Sequence, residues 1–189
     1  LYMSGYHGVT VSVYDPSRPF DLPAGNPRLI RSAGHHQNRP EGGMIVGPDR
    51  KLYIGTQPDY GYKGGALCIF DPESEGMEVH RNLVPDQSVE SLATDGLRYV
   101  FAGTSVVGGG LVRKEGDRAH FLVWDCSRGG VVFDEPVDVD DIRSIAASPD
   151  GSKVYVPVGD RVRILYVPDL RFTGEVEGLL PARANFLSG

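Results

Sequence analysis

The densest run of side chains able to do chemistry is His35, His36, Gln37, Asn38 and Arg39, inside "GHHQNRP". Imidazoles can ligate a metal or act as a general base near neutral pH, and the guanidinium can clamp an anion. Adjacent histidines in an extended segment point to opposite sides, so one of the two is expected to face a ligand. No H-x-H or comparable spacing accompanies them, so no metal site is expected. Asp86, Gln87 and Ser88 form a second polar run ahead of an apolar segment. Asp86 could serve as a base or accept a sugar hydroxyl, while an Asp and a Ser in that position also cap backbone locally. The acidic run "DVDD" (138–141) lacks the glycine spacing of a calcium loop.

Two further segments mix rings with charges. "QPDYGYKGG" (57–65) carries Asp59, Tyr60, Tyr62 and Lys63, and "SVVGGGLVRKEGDR" (105–118) carries Arg113, Lys114, Glu115, Asp117 and Arg118. Tyrosine rings suit stacking on sugar rings or gripping a peptide, and Lys63 with Arg113 suits a carboxylate on either. The same tyrosines could instead pack over neighbouring elements. His7 is a further loop imidazole. No G-x-S-x-G occurs, and the glycine run 108–110 has no Walker lysine, which sets aside the nucleophile-elbow and phosphate-loop enzymes.

The elements that must position these residues repeat along the chain. A tight turn followed by an apolar run recurs as "GPDRKLYIGT" (47–56), "TDGLRYVFAGT" (94–104) and "SPDGSKVYVPVG" (148–159), with "LYMSG" (1–5) as a copy lacking its turn. An apolar run ending in an acidic turn recurs as "VSVYDPSRP" (11–19), "LCIFDPESEG" (67–76) and "FLVWDCSRGG" (121–130). Tyr53, Phe101 and Tyr155 are equivalent, 48 and 54 residues apart, so the period varies through its loops. The runs are short, rich in β-branched and aromatic residues and bounded by Gly, Pro, Asp and Ser, which is the strand signature.

Each repeat supplies about four strands, A to D. The third reads A 88–94, B 98–104, C 120–125 and D 130–136, and the fourth reads 142–148, 153–158, 161–167 and 172–178. Four-stranded antiparallel units at this period predict an all-β β-propeller of about four blades, since radial repetition protects sheet edges. A Greek-key sandwich is the alternative. The repeats fall at 1–30, 42–83, 88–136 and 142–178, with 182–189 as a further inner strand. Either the ring closes with four blades, or the chain is an arc of a larger ring. An opening at Leu1 inside a strand favours the arc and the presence of further blades in a longer chain.

Composition agrees with one globular domain. The chain has 189 residues, 40% hydrophobic and 23% charged, with 25 Gly and 14 Pro, an excess over usual shares that implies many turns. A net charge of −6 with no basic stripe argues against nucleic acid as a partner. No apolar run reaches the roughly 18 residues of a membrane span. Cys68 and Cys126 occupy non-equivalent places in the repeat, so a disulfide is not expected and the compartment stays open; a leader outside these residues would make it secreted or periplasmic.

Loop length then separates the two ends of the blades. A–B and C–D turns such as "TDG" and "DPESEG" are compact, and their aspartates are read as turn chemistry. B–C loops (6–8, 57–65, 105–118, 159–160) and D–A loops (30–43, 83–88, 137–141) emerge at the other end and are irregular, which marks the binding end of a repeat array.

The acidic turns after strand C, with "SPDGSKVYV" at an A–B hairpin, resemble those of bacterial propellers of the broad quinoprotein-like, NHL-like and YVTN-like group. "VWD" (123–125) is similar to the WD40 dipeptide, but it occurs once and lacks the Gly-His partner. The resemblance implies fold and not function. The leading expectation is a ligand-binding or scaffold propeller domain that presents a polar loop face to a small polar ligand, carbohydrate or peptide through His7, Gln37, Asn38, Arg39, Asp59, Tyr60, Tyr62, Lys63, Gln87, Ser88 and Arg113. The rival is a lyase or hydrolase acting on a polar, uronate-containing sugar, with His35 or His36 and Asp86 at its centre. No cofactor is expected.

Overall fold

A computed structural model describes residues 1–34, 36–108 and 116–178. Strands β1 (Tyr2–Gly5), β2 (Thr10–Val13) and β3 (Arg28–Ser32) form a first, three-stranded sheet. β4 (Gln37–Arg39) precedes the second sheet, made of β5 (Met44–Val46), β6 (Leu52–Gly55), β8 (Ala66–Asp71) and β9 (Gly76–Arg81). Between β6 and β8, β7 (Gln57–Pro58) leaves the sheet to pair with β4. The third sheet holds β10 (Ser88–Thr94), β11 (Tyr99–Ser105), β12 (His120–Asp125) and β13 (Gly130–Pro136). The fourth holds β14 (Ala146–Ala147), β15 (Lys153–Val158), β16 (Arg161–Tyr166) and β17 (Arg171–Glu177). Within each sheet the strands pair antiparallel in chain order, so strands A to D of the repeat are adjacent in space.

Apolar faces pack sheet against sheet in series. Val9 and Val11 of the first blade meet Ile54, Cys68 and Phe70 of the second. Tyr53, Leu67 and Ile69 of the second meet Val100 and Trp124 of the third. Phe101, Phe121 and Val123 of the third meet Val154, Val156 and Leu165 of the fourth. There the Phe101 and Phe121 rings stack 6.2 Å apart, and Phe172 meets Phe121 edge-on at 5.7 Å. Burying such rings contributes the largest share of core stability, and each repeat is stable only with a neighbour.

The aspartates of the compact turns close on their own backbone. Asp71 Oδ1 accepts from the Glu73 N–H, and Asp95 Oδ1 accepts from three N–H groups, of Leu97, Arg98 and Tyr99. Asp125 binds the Ser127 N–H and also the guanidinium of Arg98, at 2.6 Å, which holds its carboxyl well below the usual carboxylate range. Cys68 and Cys126 are both free thiols.

Several sequence expectations need correction. The first C–D connection is not the compact "DPSRP" but runs from Tyr14 to Pro27, organised by buried Asn26, whose Nδ2 donates to the carbonyls of Asp15, Arg18 and Pro19. The D–A segment 30–43 is not all loop: it begins inside β3 and contains β4. Inner strand 142–148 shrinks to Ala146–Ala147, because the Val106 N–H donates to Asp140 O and the Ile142 N–H donates to Thr104 O, which draws residues 140–142 onto the end of β11. The predicted strand 182–189 lies outside the described residues.

Candidate functional site

In blades of this order the β1–β2, β6–β8, β11–β12 and β15–β16 loops emerge at the same end as the inter-blade connections. That end carries a polar hollow of about 370 Å3, lined by His7, Ser32, His36, Gln37, Asp59 and Tyr62, together with Gly8 and Gly34. Three loops meet there. The Ser32 hydroxyl donates to Gly8 O at 2.6 Å, the His7 N–H donates to Asn38 O at 3.1 Å, and the Asp59 N–H donates to His36 O at 3.0 Å. The β4–β7 ribbon, Gln37 to Arg39 against Gln57 and Pro58, joins the inter-blade segment to the β6–β8 loop. Strands of three and two residues leave no periodicity to read.

His36 does not lie in an extended segment, as its sequence context predicts. Gly34 and His36 both have φ of +75°, and the Gln37 N–H reaches back to Gly34 O, so the chain turns here. The turn brings the His36 ring against Tyr62, with centroids 4.0 Å apart and the planes tilted by 51°. His7, Gly8 and Val9 follow one another at φ of +73°, +79° and +50°. A positive φ costs a β-branched residue such as Val9 strain, and strain of this kind collects at ligand sites.

At the rim, Arg39 donates to the Tyr60 hydroxyl at 2.8 Å, and its guanidinium lies 5.5 Å from the Tyr6 ring centroid and 5.9 Å from that of Tyr60. Tyr60 and Tyr62 are exposed rather than packed beneath neighbouring elements. Asp59 accepts the N–H of Tyr60 while lining the hollow. The aromatic and ionic groups of the two loops therefore sit side by side, Arg39 on the rim and Asp59 inside.

Other candidates lie elsewhere. Asp86 is absent from the lining of this hollow and faces Lys63, 3.7 Å away. Gln37 and Gln87 are buried, and their amides are occupied in two equivalent locks. Thr56 donates to Gln37 Oε1 and accepts the Ala66 N–H, while Gln37 Nε2 donates to Gly64 O. One repeat later Thr104 donates to Gln87 Oε1 and accepts the His120 N–H, while Gln87 Nε2 donates to Arg118 O. Each lock ties an inter-blade connection to the start of the next strand C. Ser88 is buried, with its hydroxyl directed to Val107 O, and Asn38 is buried with a carbonyl oxygen that has no hydrogen-bond partner among the described residues. His35 and Arg113 lie outside the described residues. Among the described residues no group of three His, Cys, Asp or Glu side chains is arranged to hold a metal ion, and no helix is long and apolar enough to cross a membrane.

A second hollow at the same end went unread in the sequence. It holds about 240 Å3 and is lined by Glu41, Gln57, Glu90, Ser105, Val107 and Arg143. Glu90 is part of a strand whose pattern signals only core, and Glu41 and Arg143 lie in connections that no motif marks. The signal available was a glutamate among the buried positions of a strand.

No protein-family profile and no curated protein matches the chain. Among solved structures it is similar to the Dos1 propeller, with a TM-score of 0.59 at 12% identity over 93% of this chain and 43% of that one. The WD40 repeats of RRP9 match with a TM-score of 0.57 at 16% identity over 80% and 41% of the two chains. U3-55K matches with a TM-score of 0.55 at 15% identity over 80% and 42%. The chain thus spans about two fifths of the length of these structures. At such identities the likeness carries fold alone. Sheet order, serial blade packing and these neighbours together give the chain the fold of a β-propeller.

Proposed function

We propose that the protein is a propeller that binds a small polar ligand, a carbohydrate or a short peptide, in the hollow between His7, His36, Asp59 and Tyr62. The observation that carries this reading is the meeting of those four side chains from three separate loops around one hollow of about 370 Å3. An aromatic face held against an imidazole suits a sugar ring or a planar peptide group, and a neighbouring carboxylate suits its hydroxyl or N–H donors. The Arg39 guanidinium between Tyr6 and Tyr60 extends the surface to an acidic substituent at the rim. Rigid blades with ligand groups on the loops between them agree with a binding role.

Calorimetric titration against a panel of neutral and acidic mono- and disaccharides and short peptides tests the proposal. A saturable ligand is expected in that panel. Tyr62→Ala should weaken it about fivefold to tenfold, the loss of one stacking contact. Affinity that is unchanged in both Tyr62→Ala and Asp59→Asn would remove this hollow from the function.

A further inference from the structure

The larger, loop-built hollow carries opposite charges that the fold keeps apart. Arg39, on its rim, donates to the Tyr60 hydroxyl at 2.8 Å and lies over the Tyr6 and Tyr60 rings, 5.5 and 5.9 Å from their centroids. Among the described residues it meets no carboxylate, whereas Arg28, Arg98 and Arg163 are held by Glu75, Asp125 and Glu135. The rings and the phenol fix the guanidinium in place. One donation to a phenol still leaves N–H groups for a bidentate grip on a carboxylate.

Asp59, inside the hollow, is the counterpart. Its Oδ1 accepts the Tyr60 N–H at 2.8 Å, while its Oδ2 takes no hydrogen bond and no cation pairs with it among the described residues. Arg39 and Asp59 are both half-buried. A charge partly removed from water is costly without a partner, so a ligand supplying a partner to each would be favoured.

The local backbone decides which ring accompanies which charge. The Tyr62 N–H donates to Asp59 O at 3.0 Å and Gly61 has φ of +79°, so residues 59–62 close as a turn with glycine at its third position. That turn sends Tyr60 outward to Arg39 and Tyr62 inward against His36. The bond from the Asp59 N–H to His36 O, with the β4–β7 ribbon, ties the turn to the connection that carries Arg39. Guanidinium, rings and carboxylate are thereby held in one fixed arrangement, as a preorganised site requires.

We propose that the ligand of this hollow is a short peptide with free termini, its C-terminal carboxylate gripped by Arg39 and its N-terminal ammonium taken by Asp59. This rests on the reading of the hollow as a ligand site and narrows it. A neutral sugar answers neither charge, a uronate answers Arg39 alone and an amino sugar answers Asp59 alone. A peptide with both ends free answers both, and its planar amide lies against the Tyr62 and His36 rings. A hollow of about 370 Å3 has room for a dipeptide.

Calorimetric titration of the chain with L-alanyl-L-alanine, its C-terminal amide, its N-acetyl derivative and glucuronic acid tests this. Saturable binding of the free dipeptide is expected. Amidation should weaken it about tenfold or more, and acetylation about fivefold to tenfold, each the loss of one charge-assisted contact. Arg39→Gln should abolish the difference between the free dipeptide and its amide, and Asp59→Asn the difference between the free and acetylated forms. The blocked peptides probe both contacts on the unchanged chain, so the test stands whether or not the variants fold. Equal affinity of the free dipeptide and either blocked form overturns the proposal. So does Arg39-dependent binding of glucuronic acid without binding of the dipeptide, a result that keeps the hollow as a ligand site of another class. If none of these probes binds, the proposal falls, and the wider panel of sugars and peptides then decides the hollow itself.

Discussion

The two hollows at the loop end of the blades are built in opposite ways. The larger one is made by loops: His7, Asp59 and Tyr62 come from connections between strands, and turns at positive φ aim them. The smaller one is made by a strand: Glu90 is placed by a β-bulge in an inner strand whose backbone touches the neighbouring blade. A loop site can change its residues without disturbing the blades. A bulge site is welded to the core, so its chemistry and the stability of the fold are coupled. The contrast separates two ways for a propeller to present charge.

The sharpest way to break this contrast is at the weld. Gly55→Ala would bring a methyl group within 2.8 Å of Val89 O and 3.0 Å of Gly42 Cα, with no flexible side chain to yield at either contact. A loss of about 3 kcal/mol is expected, roughly a 10 °C fall in Tm by calorimetry for a domain of this size. A fall under about 2 °C would show that the blade contact is compliant.

The next effect is a pH dependence. Glu90 titrates near 7 in the folded chain against an ordinary 4.5. Between those values the unfolded chain has lost a proton that the folded chain retains, so stability falls as pH rises from about 4.5 to about 7, and the penalty is complete above that. Glu90→Gln should be more stable than wild type at pH 8, by on the order of 3 kcal/mol at most, and equal to it at pH 4. Denaturant unfolding across that range measures it. Parallel wild-type and variant profiles would mean that Glu90 is solvated after all.

Smaller still is the effect of a lock. Thr56→Val removes a hydroxyl that serves Gln37 Oε1 and the Ala66 N–H, with an expected cost of about 1–3 kcal/mol. Thr104→Val, the equivalent change one repeat later, should cost a similar amount, because its partners Gln87 and His120 are arranged alike. Costs differing by more than about 2 kcal/mol would mean that the two locks are not equivalent. The smallest effect belongs to the loop hollow: Tyr62→Ala, at an exposed position, should leave stability within about 0.5 kcal/mol of wild type and act on ligand affinity alone.

How much of this was legible follows from the range of each signal. The hairpins at Asp49, Asp95 and Asp150 were readable because their turn residues satisfy their own backbone within a few positions. The placing of His7, Asp59 and Tyr62 at one end followed from strand order and loop length. Gln37 and Gln87 read as ligand groups because an amide in a polar run carries no sign of its partner; that Thr56 and Thr104 engage them depends on strands 17 to 19 residues away. Glu90 escaped notice because a glutamate in "SVESLAT" fits either face of a strand.

The sequence alone determined the class of fold: four repeats of short strands, separated by self-closing acidic turns, whose apolar faces could be buried only against one another. Tertiary structure decided which polar groups are structural and which face a cavity. A β-bulge shifts the register of a strand by one residue, and a left-handed turn reverses where a ring points; both are selected by packing between blades rather than by residue type. For that reason Gln37 became part of a lock, Tyr62 came to rest against His36, and Glu90 was aimed into a cavity.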